Sequence, residues 1–255
     1  MPRNGPGTPA KALFEAQLRK LGYHGQVVDV TPQQEWGDPM AYLTPTEPFF
    51  EAGTTYQYND HGVHLLGSIL TRLAGEPLKD FFKRRIADPI GMTDWDWGVC
   101  GTVEGIALNN PSGVHGTGIR TTARQMARLG YLYLNRGRWN GRQLLPADFV
   151  DEAARNQVPL TARFRNLDLR GRYGLYWWTN GVQTNGKRPW ASAPPGAFTM
   201  HGHNCNFCYV IPEWDMVVVR MGTQPIGRSP AQEPLWDTFF AKMAEAVARG
   251  GAADK

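Results

Sequence analysis

Apolar residues recur at helical spacing through the middle of the chain and at alternating positions near its end. Val63, Leu66, Ile69, Leu70 and Leu73 predict a helix over 58–74. Asp60 can cap its start, and Gly75 stands at the usual C-terminal glycine position. Pro77 opens a second helix with Leu78, Phe81, Phe82 and Ile86 on one face, broken at Pro89, Ile90 and Gly91. Residues 98–118 are rich in Gly and Asn and read as a loop. Thr122 with Gln125 forms a capping-box pattern ahead of Met126, Leu129 and Leu132, and Gly137 ends that helix. Asn140-Gly141 signals a tight turn, and Pro146 starts a short helix through Val150.

From Tyr173 the period changes. Residues 173–179 are aromatic and strand-like, and the runs 205–211 and 216–221 read as a hairpin turning at 212–215. Leu235 to Val247 carry a last amphipathic helix. Helices followed by strands and a closing helix predict an α+β fold with an antiparallel sheet. Residues 1–45 are a poorly specified segment with one plausible helix over 11–21. Residues 46–255 form the main domain, helical over about 58–155, with sheet and helix over about 170–248.

Composition narrows the function classes. A chain of 255 residues buries a sizeable core without staples. The net charge of +4 is spread out except at Lys83-Arg84-Arg85, which reads as a solvated helix face, so nucleic acid is not an expected partner. No apolar run approaches the roughly 20 residues of a membrane helix, so no membrane partner is expected either. Three cysteines make no disulfide framework. As it stands the chain reads as cytoplasmic, and a periplasmic or secreted location stays open if further sequence precedes it.

Five segments carry a family resemblance: YNDHGVHLLG, IADPIGMTDWDWG, GVHGTGIRTTARQMARLGYLYLNRGRWNGRQLLP, RYGLYWWTN and MHGHNCNFCYVIPEWDMVVVR. In that order, from about residue 49 to the mid-220s, they resemble the class C β-lactamase-like serine hydrolases. That family includes β-lactamases, penicillin-binding peptidases, and esterases or amidases. The resemblance implies an antiparallel sheet with helices, a mostly helical part, and an active site between them. It implies acyl transfer through a serine ester, without metal or cofactor. The substrate would be a small-molecule ester, amide or peptide.

The resemblance assigns Tyr58 of Tyr58-Asn59-Asp60 to the tyrosine motif, as general base or proton relay. Asp60 stands where asparagine is usual. His201, with Gly202, His203 and Asn204, takes the place of the family's Lys-Thr-Gly motif. Which of His201 and His203 replaces the lysine stays open. On a continuous strand the two histidines share a face, roughly 6.6 Å apart, and Gly202 between them permits close substrate approach. Ionising a free tyrosine at pH 7 costs about 4 kcal/mol, so Tyr58 needs a cationic neighbour to act as a base. Asp60 and His201 make an ester or amide a better expectation than a penicillin.

The nucleophile is the difficulty. The serines are Ser68, Ser112, Ser192 and Ser229, and three places on stand Thr71, His115, Pro195 and Gln232, never lysine. Thr8 and Lys11 fit a threonine version of the spacing in an unmatched context. Three explanations stand: the Ser-x-x-Lys segment lies upstream of this sequence, the chain is an inactive ligand-binding module, or an unusual nucleophile serves. An upstream gap would expose apolar surface and sheet edges, favouring an oligomer. A different class of reading groups His201, His203, Cys205 and Cys208 as zinc ligands, against free cysteines in a buried strand. The pairs Trp177-Trp178 and Trp95-Trp97 read as core or cleft wall, with a carbohydrate or peptide platform as the alternative.

Overall fold

The computed structural model describes residues 53–58, 60–111, 118–164, 167–222 and 233–253. The segment 1–45, Asn59, Ser112, Ser229 and the Thr8–Lys11 spacing lie outside the described residues. Within them, helices and mostly antiparallel strands make the fold α+β, as the patterning predicts. The chain forms two compact units. The described part of the first is residues 58, 60–88 and 95–111 with 118–120; the second holds residues 53–57, 89–94 and everything described from 121 onward.

The first unit is built on helix α1, Asp60–Ala74, closed by Gly75 at φ +68°, whose N–H bonds Thr71 O at 3.1 Å. Only glycine adopts that left-handed cap without strain. Asp60 is the first helical residue, one place inside the cap position the sequence predicts. The buried side of α1 is His64, Gly67, Ser68 and Thr71, whereas Leu66, Leu70 and Leu73 are exposed, Leu73 at 78%. Gly67 sets that side, since a Cβ there would meet Pro111 Cγ at 2.9 Å. The two hydroxyls on it are satisfied along the helix: Ser68 Oγ donates to His64 O (3.0 Å) and Thr71 Oγ1 to Gly67 O (2.8 Å). Pro77 caps α2, Leu78–Phe82, which continues as a wider turn over Lys83–Ala87.

Residues 98–118 are not simply a loop. Within them β1, Val99–Val103, pairs antiparallel with β2, Ile106–Asn109. Glu104 (φ 51°) and Gly105 (φ 82°) make the turn, both left-handed, as the two-residue hairpin of the right twist requires. Buried Asn109 stitches the unit together: its Oδ1 accepts the Lys79 N–H (2.8 Å) and its Nδ2 donates to Trp97 O (3.1 Å). Trp95 and Trp97 both stand edge-on to Phe82, at 5.2 and 6.4 Å.

The second unit is organised by a four-stranded antiparallel sheet. Its strands are β3 (Trp178–Thr179), β4 (Phe198–Gly202), β5 (Asn206–Ile211) and β6 (Met216–Arg220), in the order β6-β5-β4-β3. The expected strand over 173–179 is mostly a tight turn: Tyr173 bridges back to Trp178, and Gly174 N–H bonds Trp177 O at 2.7 Å. Both faces of the sheet are covered, which explains the unbroken apolar run of β5. Phe207, Tyr209 and Ile211 pack with Trp190 against Trp236 and Phe240 of the closing helix. Cys208 and Val210 face the other way, where α3, Ala123–Leu134, lies on β5 and β6 and α4, Ala147–Ala153, supplies Ala153. The closing helix is α5, Glu233–Ala253. Thr122 stands at the N-cap of α3 but its side chain makes no cap bond, and Gln125 turns inward and donates to Thr93 Oγ1 at 3.4 Å. The reciprocal capping box is therefore not formed.

Candidate active site

In the first unit Tyr58 lies two residues ahead of α1 and is half-buried, and Asp60 begins the helix. Ser68 is excluded as a nucleophile by its own surroundings: it is 4% exposed and its hydroxyl is committed to the helix backbone.

In the second unit the histidine motif sits at the end of β4. His201 pairs across the sheet with Phe207, and Gly202 with Asn206. On the other side β3 pairs only with Phe198 and Thr199, so that ladder stops two residues before His201. The His201 ring lies 4.3 Å from Phe207 at 32° and 5.0 Å from Trp178 at 57°. Two aromatic neighbours on a sheet fix the imidazole by packing. Gly202 is exposed and extended (φ −105°, ψ −179°), and a Cβ there would find nothing nearer than Asn206 O at 3.7 Å. The fold itself does not demand glycine at this position.

His203 does not continue the strand. Residues His203–Cys205 form a 3₁₀ turn in which Asn204 (φ 57°) and Cys205 (φ 55°) are both left-handed. The chain reverses there, so the strand that carries His201 ends at Gly202 and His203 belongs to the turn. His203 is exposed and Asn204 half-buried. Two consecutive left-handed non-glycine residues cost roughly 1–3 kcal/mol each and persist only where surroundings hold them. Here the Arg220 guanidinium donates from Nη1 to Asn204 O (2.7 Å) and Cys205 O (2.9 Å). Asn206 adds a bond from Nδ2 to His203 O (2.8 Å) and accepts Gly222 N–H at Oδ1 (2.8 Å). Cys205 is fully buried in the α5-side core. Sequence reasoning singled out neither Arg220 nor Asn206. Their partners are main-chain atoms of a turn whose conformation no local pattern announces.

The residues grouped by the zinc alternative are dispersed. Cys205 is held in the turn, and Cys208 faces α3, where its thiol lies against Gly130 and burial pushes its pKa up to about 12. Among the described residues no group of three or more His, Cys, Asp or Glu is placed to hold a metal ion. Thus His201 and Gly202 share one location with Trp178 and Phe207, His203 and Asn204 occupy the adjoining turn, and Tyr58 and Asp60 belong to the other unit.

The chain was compared with known proteins. The Beta-lactamase family model matches residues 10–237. Among solved structures, a Bacillus anthracis protein provisionally assigned as a 6-aminohexanoate-dimer hydrolase superposes with a TM-score of 0.60 at 22% identity, covering 97% of this chain and 58% of that one. A penicillin-binding protein homolog from Caulobacter crescentus gives 0.55 at 18% identity, covering 92% of this chain and 71% of the other. A family VIII carboxylesterase gives 0.56 at 19% identity, covering 86% and 66%. The chain therefore spans under two thirds of the length of the Bacillus protein. No curated protein matches it. At these identities the structures speak to fold alone, but the family model spans most of the chain, and the chain belongs to the beta-lactamase family.

Proposed function

We propose that this chain serves an acyl-transfer serine hydrolase acting on a small ester or amide. The observation that carries this reading is the histidine-glycine pair at the end of β4. His201 is fixed by two rings, and the next residue is a glycine that the protein's own packing does not require. A glycine kept without internal need suits close approach by a substrate backbone or acyl group. His201 orients the substrate carbonyl or carboxylate, as the family's third motif does. In this reading Tyr58 relays the proton between nucleophile and leaving group, and Asp60, Gly202, His203 and Asn204 contribute to substrate binding. Asp60 and His201, where the family pattern has asparagine and lysine, favour an ester or amide over a lactam. This chemistry calls for no metal or cofactor.

The nucleophile in this reading is a Ser-x-x-Lys that is not among these 255 residues, since no serine here has lysine three places on. Its lysine supplies the cation that lowers the cost of ionising Tyr58. The second reading is a ligand-binding module that keeps the site without turnover; the buried, back-bonded Ser68 favours it equally. The test is fluorophosphonate labelling with hydrolysis of p-nitrophenyl butyrate. It compares this chain with the same chain extended by its own upstream reading frame or by a relative's Ser-x-x-Lys segment. The extended protein should label and turn over ester, with kcat falling at least 100-fold in Tyr58→Phe. Labelling of the 255-residue chain itself refutes the missing nucleophile. A folded extended protein that stays silent refutes the hydrolase in favour of the binding module.

A further inference from the structure

The adjacent tryptophans of RYGLYWWTN part company in the fold. Trp177 is 5% exposed and packs in the α3-side core, 4.4 Å from Tyr133 and edge-on to Phe198 at 4.9 Å. Trp178, one residue on, necessarily points to the opposite face of β3. It is half-buried and lies beside His201. The α3-side core takes in the first tryptophan whole, whereas the second packs on the margin of the α5-side core and stays half-buried.

Trp178 belongs to a row of rings on that face. Tyr56 is 5.7 Å from Tyr173, Tyr173 is 5.8 Å from Trp178, and His201 follows at 5.0 Å and leads to buried Phe207. Tyr56, Tyr173, Trp178 and His201 are each half-buried rather than sealed in the core. The row is rigid. Tyr173 and Trp178 are bridged across a tight turn, Thr179 N–H bonds Arg172 O at 2.8 Å, and Trp178 is registered opposite Thr199 of β4. The Arg172 guanidinium lies 5.4 Å from the Trp178 ring and stiffens it further.

Tyr173 and Trp178 meet at 80°. A flat aromatic ring that stacks on one of two rings set at this angle meets the other edge-on, both favoured geometries. A flexible alkyl chain gains only area and loses rotamer freedom in doing so. We infer that Trp178, with Tyr173 and Tyr56, is the specificity wall of the His201 site and selects esters or amides bearing an aryl group on the alcohol or amine side of the reacting carbonyl. This rests on the proposed substrate class, but the binding it describes needs no nucleophile.

The test is ligand-observed NMR titration of the full chain with N-benzylacetamide and N-butylacetamide, neither of which must be turned over to be scored. The wild type should bind the benzyl amide at least five-fold more tightly. Trp178→Ala should remove that preference, and Trp178→Phe should retain most of it. The Phe variant separates loss of a ring from loss of fold, and circular dichroism verifies both variants. Equal affinities in the wild type, no binding of either amide, or an unchanged preference in folded Trp178→Ala would each overturn the inference. A chain that shows the preference yet fails the labelling test keeps this wall and loses only the hydrolase reading.

Discussion

Asn180, directly after β3, is a buried, multiply bonded anchor, and replacing it with alanine should cost about 4 kcal/mol. The side chain is fully buried. Its Nδ2 donates to Trp190 O (2.9 Å), Ala193 O (3.2 Å) and Pro194 O (3.0 Å), and its Oδ1 accepts Trp190 N–H (3.0 Å). Not all four partners are left equally exposed to loss. Trp190 O and Pro194 O also accept bonds from Ala193 and Ala197 N–H, both at 3.1 Å. Each of those two carbonyls therefore loses roughly 0.5–1 kcal/mol, whereas Trp190 N–H and Ala193 O are stripped of their partner at roughly 1–3 kcal/mol each. Urea unfolding followed by far-ultraviolet circular dichroism reads the difference as a shift in midpoint. A loss under about 1 kcal/mol would mean water or backbone relaxation replaces the amide, and the anchoring argument fails. Asn180→Asp adds a directional check. A carboxylate oxygen would replace the amide donor before three carbonyls, raising the carboxyl pKa in the folded state. A raised acid destabilises the fold above its pKa, so the deficit should shrink as pH falls, opposite to ordinary acid unfolding.

Gly130→Ala tests the approach of α3 to the sheet: the new Cβ would sit 2.7 Å from both Cys208 Sγ and Val217 Cγ1, so overpacking of roughly 1–3 kcal/mol should outweigh a helix-propensity gain of about 1 kcal/mol. A variant as stable as the wild type in urea would refute that packing. Asp96 is held well below the usual carboxylate range by hydrogen bonds from Lys79 first and Arg120 second. A depressed folded pKa contributes stability above the unfolded value near pH 4 and loses it as pH falls through the folded one. The stability gap between wild type and Asp96→Asn should therefore narrow below about pH 4, and a gap that widens in acid would contradict it. Cys208, its thiol pushed up to about 12, and fully buried Cys205 should resist Ellman's reagent at pH 8 until the protein unfolds; rapid native labelling of either would show the sheet to be open.

Where one local signal decided the outcome, the sequence was readable. The β5–β6 hairpin, the Asn140-Gly141 turn between Arg138–Trp139 and Arg142–Gln143, the Gly75 cap and the α5 helix all follow from alternation, turn chemistry or period. Where two signals competed, it misled. Gly and Asn content hid the β1–β2 hairpin, although Glu104-Gly105 is a usable turn between apolar runs. Leucine spacing predicted α1, yet its buried side is the small and polar one, because Gly67 lets Pro111 approach and leucines would not. The candidate site was legible at His201 and Gly202 by motif. It was not legible at His203, because the left-handed pair after it depends on Arg220 arriving from β6, across the following hairpin. Trp178 was visible only as half of a tryptophan pair, since the choice between core and site needs the strand's facing.

The position of His201 follows from the core behind it. Phe207 stacks on the histidine with one side of its environment and joins Tyr209 and Trp236 on the other, at 5.4 and 5.0 Å. Cys205, which carries one of the two left-handed conformations, is buried in the same cluster. The turn that ends the His201-Gly202 strand is thus held from two sides, by Arg220 on its carbonyls and by the α5-side core on its cysteine. Strain of a few kcal/mol is affordable there because both restraints act on the same three residues. A site built this way has its histidine held in the packing of Phe207 and Trp178. Changes in the α5 aromatic cluster, far along the chain from the motif, should then disturb His201 more than changes at the exposed His203 beside it.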